Sequence, residues 1–194
     1  MTFNVFNATT LAWSALGALW LGGFLFTKPV MRSQSVSPRL FHLALGCLGF
    51  AMLATRWFHI GWMASRFVPG SGPAYQAIQW AGLVLTIAGC LLAASARIVL
   101  GGNWSGGATV KSSHELVVKG PYALTRHPIY TGFLLAVFGT ALVVGEWHSL
   151  VSIVVIFLAI ALKIGQEEIL MLRAFPESYP RYRQQVKALI PGVL

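Results

Sequence analysis

The stretch Ile78-Gln-Trp-Ala-Gly-Leu-Val-Leu-Thr-Ile-Ala-Gly-Cys-Leu-Leu-Ala-Ala-Ser-Ala96 decides the fold class. It contains no charged residue, and a helix needs about 20 mainly apolar residues to cross a bilayer. Four other stretches read the same way: Ala8–Phe26, Leu40–Ile60 with Arg56 as a blemish, Ile129–Gly145 and Trp147–Leu162. The last two are short. The final one either tilts, continues past Lys163 or forms half of a hairpin. The prediction is an all-α, polytopic membrane helix bundle of about five transmembrane helices. Residues 101–128 and 163–194 remain as polar segments.

Composition excludes the main alternatives. Of 194 residues, 56% are hydrophobic and 10% charged, and the mean hydropathy is +0.70. A soluble domain carries roughly 25% charge and 45–50% apolar residues. A soluble chain of this size could not hide so much apolar surface, and a disordered one would not contain it. Cys47 and Cys90 sit inside apolar runs, so no disulfide framework is expected.

Fourteen Lys and Arg stand against five acids, none of them Asp, for a net charge of +9. Basic loops facing anionic lipid and the cytoplasm account for this better than nucleic acid does. No nucleic-acid partner is expected, and no obligate protein partner.

Five spans put Arg56 and Arg66 on one side of the membrane. The other 12 basic residues fall on the opposite side: Lys28, Arg32 and Arg39, then Arg97, Lys111, Lys119 and Arg126, then Lys163, Arg173, Arg181, Arg183 and Lys187. The positive-inside rule makes the second side cytoplasmic, with the N-terminus outside and the C-terminus inside. A re-entrant final hairpin would return to the same side. No Lys or Arg precedes the first span, so the signature of a cleaved signal is missing and that span reads as a mature helix.

Gly82, Thr86, Gly89 or Cys90, and Ala93 form a stripe of small residues on the third span, and Gly17, Gly22 and Gly23 mark the first. These read as close helix–helix contacts. No internal repeat is evident, which gives an inverted-repeat transporter little support.

Chemistry-bearing residues gather on the cytoplasmic side. His114 to Gly132 includes a Gly120-Pro121 turn and Pro128, which suits the first turn of the fourth span. Arg126 and His127 then sit at a helix entrance. They either help hold an anionic group such as a carboxylate, or anchor the chain among lipid headgroups. Lys163-Ile164-Gly165-Gln166-Glu167-Glu168 is the second cluster. Lys163 and Glu167 are four apart and share a helix face, so they can pair. Acids at this depth are costly if they face lipid.

Other motifs are missing. Gly101-Gly102-Asn103-Trp104-Ser105-Gly106-Gly107 follows a membrane helix and lacks dinucleotide-binding spacing, and there is no P-loop. His42, His59, His114, His127 and His148 show no paired metal spacing, so no metal is expected. His42 and His59 read as satisfied helix histidines. Asn7-Ala8-Thr9 is a glycosylation sequon that abuts the membrane.

The pattern His114-x-Leu116-Val117, Gly120-x-Tyr122, Arg126-His127-Pro128-x-Tyr130-x-Gly132, Glu167-Glu168 and Phe175-Pro176-Glu177-Ser178-Tyr179-x-x-Tyr182-x-x-x-Val186 resembles the isoprenylcysteine carboxyl methyltransferase family. That family belongs to a wider set of membrane methyltransferases that includes phospholipid N-methyltransferases. The resemblance covers roughly the C-terminal half. It implies an all-helical membrane enzyme using S-adenosylmethionine (SAM) without a Rossmann domain. It also implies that the cofactor contacts His114, Glu115, Leu116, Val117, Tyr122, His127, Pro128, Ile129, Tyr130 and Glu167.

The family's substrate-side arginine falls on Lys163 here. Lysine keeps the positive charge but not the planar fork. On this reading residues 1–100 hold three membrane helices. Residues 101–194 form the catalytic half, with a cofactor-binding loop, a helical hairpin and a cytoplasmic tail. Lys163 or Arg173 orients an acceptor carboxylate, and Glu167 suits the cofactor's ammonium or ribose hydroxyls. The acceptor is a prenylcysteine or similar lipidated acid, and the compartment a prokaryotic cell membrane or the endoplasmic reticulum. Three alternatives stand beside this: a phospholipid amine as acceptor, a nicotinamide-dependent reductase of the sterol type, and a non-enzymatic membrane protein.

Overall fold

The third and fourth apolar stretches pack through small residues on both sides. In the computed structural model, α3 runs Pro73–Leu100 and α4 runs Pro128–Val144. A Cβ on Gly132 would lie 2.6 Å from both Ala93 N and Gly89 O, and one on Gly139 would lie 2.5 Å from Gly82 O and Thr86 N. The expected stripe is therefore the contact face of α3, met by Gly132, Ala136 and Gly139 of α4. Thr86 Oγ1 lies 3.3 Å from Thr140 Oγ1 in the same seam.

The opposite face of α3 is large and apolar. Trp80, Val84, Ile87, Leu91 and Ile98 are all exposed, Leu91 to 64%. Their spacing keeps them on one helical stripe. A helix with its small residues inward and its large apolar residues outward is built for an apolar surround.

The structure describes residues 4–24, 30–33, 36–54, 60–68, 70–103, 109–111 and 116–193. The remaining helices among them are α1 (Val5–Phe24), α2 (Val36–Ala54), α5 (Trp147–Ala174) and α6 (Ser178–Gln185). At 28 residues each, α3 and α5 are long and apolar enough to cross a membrane, at about 42 Å for a 1.5 Å rise. The apolar part of α2, Leu40–Ala54, and the whole of α4 are shorter. Of the three possibilities for the final stretch, continuation is the one found: α5 runs past Lys163 to Ala174 without a break. The polar segment predicted to begin at residue 163 is helical over its first 12 residues, because Lys, Gln, Glu, Leu and Met propagate helix well.

One feature departs from an all-helical chain. A short strand β1 (Val30–Ser33) pairs antiparallel with β2 (Thr109–Lys111), matching Val30 with Lys111 and Ser33 with Thr109. This ribbon joins the α1–α2 and α3–α4 connections at one end of the bundle. At the other end the α2–α3 connection grips the α4–α5 turn. Phe67 N donates to Gly145 O at 3.1 Å and Trp147 N to Ser65 O at 3.1 Å, and Arg66 pairs with Glu146 in an isolated bridge. Gly145 makes that turn in the left-handed region, at φ 71°.

Trp13 of α1 fastens the middle. Its indole donates to Thr140 Oγ1 at 2.9 Å, and its rings lie 5.4 and 5.9 Å from Phe50 and Phe133. Gly23 admits the Arg97 guanidinium, which donates to Gly23 O at 2.8 Å. Gly17 and Gly22 have nothing within 4 Å of an added Cβ, so the close contact expected at α1 holds for Gly23 alone among the three. His42 is buried in α2, and His59 and Arg56 lie outside the described residues.

Candidate active site

The ribbon end of the bundle holds the charged cluster. Pro128 opens α4 at its first turn, as expected, and leaves His127 just outside the helix. Tyr130 projects one turn on. From α5, the helical repeat sends Lys163, Glu167 and Glu168 toward them. Tyr130 Oη donates to Glu167 Oε1 at 2.6 Å. Glu167 Oε2 lies 3.6 Å from His127 Nδ1, and Lys163 Nζ lies 3.9 Å from Glu167 Oε1, the predicted pair four residues apart. Lys163 Nζ also stands 5.3 Å from the centre of the Tyr130 ring. The His127 and Tyr130 rings stack at 5.7 Å.

Glu168 faces the other way. Its Oε1 accepts from Arg126 Nε at 2.9 Å and Nη2 at 2.5 Å, and lies 3.4 Å from His127 Nε2. Its Oε2 lies 3.2 Å from Arg183 Nε. Thus the His127 ring is held between two carboxylates. Glu168 lies six residues past Leu162, where the apolar stretch ends. Burial alone would raise its carboxyl, but the hydrogen bonds from His127 and Arg126 and the arginine's charge outweigh that and hold it well below the usual carboxylate range.

The C-terminal segment crosses the entrance of α4. Arg126 N donates to Lys187 O at 2.8 Å, His127 N to Ala188 O at 3.0 Å and Thr131 Oγ1 to Leu189 O at 2.8 Å. Arg126 Nη1 donates to the carbonyls of Val186 and Arg183. The entrance amides and the arginine, open in the sequence reading either to an anion or to lipid headgroups, are thus engaged by the chain itself. α6 supports this segment from below. Tyr179 and Tyr182 are both buried, and Tyr182 Oη donates to Tyr122 O at 2.5 Å. Tyr179 and Tyr182 lie three apart on the inward face of α6, and Val186 follows in extended backbone just past the helix end.

The other expected contacts fall in two groups. Val117, Tyr122, Ile129 and Tyr130 gather with Ala96 in one apolar cluster beside the site. Pro128 is buried at the helix start, and Leu116 leads into the Gly120–Ala123 turn. His114 and Glu115 lie outside the described residues. Arg173 is exposed in the last turn of α5, away from the Lys163 cluster. Among the described residues no set of three His, Cys, Asp or Glu is placed to hold a metal ion. An apolar groove of about 450 Å³ runs between α4 and α5 next to the site, lined by Thr131, Leu134, Phe138, Ile153, Phe157 and Leu189 among others.

The phospholipid methyltransferase family matches residues 77–178, just over half of the chain, from the second turn of α3 to the start of α6. The chain belongs to this family. Among similar proteins, the protein-S-isoprenylcysteine O-methyltransferase of Schizosaccharomyces pombe is 32% identical over 120 residues, covering 60% of this chain and 51% of that protein. A probable protein-S-isoprenylcysteine O-methyltransferase of Oryza sativa subsp. indica is 28% identical over 122 residues, covering 61% and 64%. Protein-S-isoprenylcysteine O-methyltransferase B of Arabidopsis thaliana is 31% identical over 115 residues, covering 58% of each chain. The chain spans about half to just under two thirds of the length of these relatives. The family match takes in His127, Tyr130, Lys163, Glu167 and Glu168 together, so the family segment carries the whole central cluster.

The sequence points to His127, Tyr130, Lys163 and Glu167. It gives no partner to Arg126 and no role to residues 186–190. The Tyr179 and Tyr182 spacing is the signal that α6 packs inward and carries the tail with it.

Proposed function

We propose that the chain is a SAM-dependent methyltransferase that forms a methyl ester on the carboxylate of a prenylcysteine or similar lipidated acid at the membrane surface. The observation that carries this reading is the joining of Tyr130, His127 and Lys163 around Glu167, beside an apolar groove, in a family of methyltransferases. The resemblance to isoprenylcysteine O-methyltransferases supplies the acid acceptor.

The donor set fits SAM. Glu167 is a partly exposed carboxylate, suited to an ammonium or to ribose hydroxyls, and it is kept in place by a phenol, an imidazole and a lysine. Val117, Tyr122 and Ile129 offer an apolar wall next to it, suited to an adenine ring. Bound SAM supplies a methyl group from a sulfonium. A C-terminal carboxylate is ionised at neutral pH, so the protein needs no strong general base. What these residues supply is alignment and exclusion of water, and good positioning is worth on the order of 7–11 kcal/mol. Lys163 presents a charge to the acceptor carboxylate while the apolar chain lies along the groove between α4 and α5. Arg173 serves as an outer attraction for the same carboxylate.

In this reading five helices cross the membrane, with the N-terminus outside. The ribbon, the site and the C-terminal tail face the cytoplasm. Residues 1–100 form the scaffold and 101–194 the chemistry-bearing half. The membrane is a prokaryotic cell membrane or the endoplasmic reticulum. The excess of basic residues at the ribbon end supports this sidedness.

The test is a calorimetric titration of S-adenosylhomocysteine into the detergent-purified chain. Saturable binding is expected; a folded chain that binds none overturns the reading. Labelled methyl released as methanol by alkali identifies an ester and separates it from methylation of a phospholipid amine.

A further inference from the structure

Arg126 reaches three elements at once. Its Nε and Nη2 hold Glu168 of α5, its Nη1 takes the carbonyls of Arg183 in α6 and Val186 in the tail, and its own N–H holds Lys187 O. The side chain is only 8% exposed. Reaching three acceptor oxygens on two sides of one planar group is a task for guanidinium; an ammonium is a point charge on a flexible stem. Glu168 in turn receives a second arginine, Arg183, and abuts the Nε2 edge of His127. The two adjacent glutamates have therefore divided roles. Glu167 faces the phenol and the lysine at the rim, while Glu168 faces the arginines and the tail.

We propose that Arg126 and Glu168 are positioning residues that clasp segment 186–189 across the entrance of α4, and through it fix the His127 ring against Glu167. The inference rests on the methyltransferase reading of the site. Neither residue is required to touch the methyl donor or the acceptor. Their effect passes through His127, whose backbone N–H is held by Ala188 O and whose ring edge is held by Glu168. A displacement of about 1 Å at such a distance from the chemistry can cost roughly 100-fold in rate.

The experiment uses the whole 194-residue chain carrying Arg126→Lys or Glu168→Gln, both chosen to keep charge or shape. S-adenosylhomocysteine is titrated by calorimetry, and trypsin is used to probe the Lys187–Ala188 bond. Lys187 O is engaged by Arg126 N, so this bond is expected to resist cutting in the wild type. Both variants are expected to bind the ligand roughly 10- to 100-fold more weakly at unchanged stoichiometry, and to lose residues 188–194 to trypsin at least tenfold faster. A purely structural role gives a different result: a fall in binding stoichiometry at unchanged affinity. That result overturns the proposal, as does wild-type affinity with the tail released. Retention of full affinity and protection by Arg126→Lys overturns the requirement for the fork. Failure of the wild type itself to bind would remove the methyltransferase reading and this inference together, whereas failure confined to the variants concerns the clasp alone.

Discussion

Tyr130 Oη donates to Glu167 Oε1 across 2.6 Å, joining the first turn of α4 to the C-terminal half of α5. The two residues are 37 apart in sequence. Glu167 is also flanked by His127 and Lys163, so its orientation is set before any ligand arrives. A hydrogen bond to a charged group is worth about 1.5–3 kcal/mol, and 1.4 kcal/mol is tenfold in affinity. Tyr130→Phe is therefore expected to weaken S-adenosylhomocysteine binding about tenfold, and Glu167→Gln by more. Calorimetry on the purified variants reads both, and wild-type affinity in either removes Glu167 from the cofactor site.

On the proposed reading, Lys163 serves the acceptor rather than the cofactor. It pairs with Glu167 at 3.9 Å, near the limit of an ion pair, and a pair of this kind contributes only about 0–1 kcal/mol to stability. Lys163→Gln is expected to leave the melting temperature and cofactor affinity within twofold of wild type. It should raise KM for an acidic lipid acceptor at least tenfold. Lys163→Arg should restore that KM or improve it, because a guanidinium grips a carboxylate with two parallel bonds. Steady-state kinetics with a farnesylated cysteine analogue is the measurement. Equal KM for Lys163→Gln and wild type would move the acceptor's charge partner elsewhere.

Local chemistry made some of the site legible. Pro128 and Gly145 mark the two ends of α4 because one fixes φ and the other tolerates a positive φ. The Lys163 and Glu167 spacing announced their pairing. Arg126 was legible as a charge at a helix entrance but not as a clasp, since its partners lie 42 and 60 positions away. Nothing local reports a contact between residues so far apart. The extension of α5 is only one of three readings the sequence allows, for another reason. Hydropathy reports where a helix leaves lipid, not where it ends, and residues 163–174 are polar enough to leave and helical enough to continue. The ribbon of β1 and β2 rests on strands too short to carry an alternating pattern.

The α3–α4 seam makes a stability prediction with an internal control. A Cβ on Gly139 would sit 2.5 Å from backbone atoms of Gly82 and Thr86, which cannot yield as a flexible side chain would. Gly139→Ala is expected to lower stability by about 2 kcal/mol or more, within the 1–3 kcal/mol usual for overpacking a core. Gly17 lies in α1 with nothing within 4 Å of an added Cβ. Gly17→Ala should be neutral or stabilising by about 0.5–1 kcal/mol through helix propensity. Thermal unfolding in one detergent compares them directly. Equal shifts would mean that the two helices are less closely apposed than the backbone shows.

The tail is also held by tyrosines that must stay neutral. Burial pushes Tyr182 up to about 12 and raises Tyr122 and Tyr179 as well; for Tyr122 the nearby Glu167 adds to the effect. Tyr182 donates its proton to Tyr122 O, a role that the phenolate cannot fill. An unfolded tyrosine ionises near 10. Because the folded value is the higher one, the contribution of these groups is complete below about 10 and is lost as pH rises through about 12. The melting temperature should then fall across that interval. Tyr182→Phe cannot ionise, so its melting temperature should start lower, for want of about 1 kcal/mol from the missing hydrogen bond, and should fall less steeply with pH. A Tyr182→Phe profile as steep as that of the wild type would assign the alkaline step to Tyr122 or Tyr179 instead.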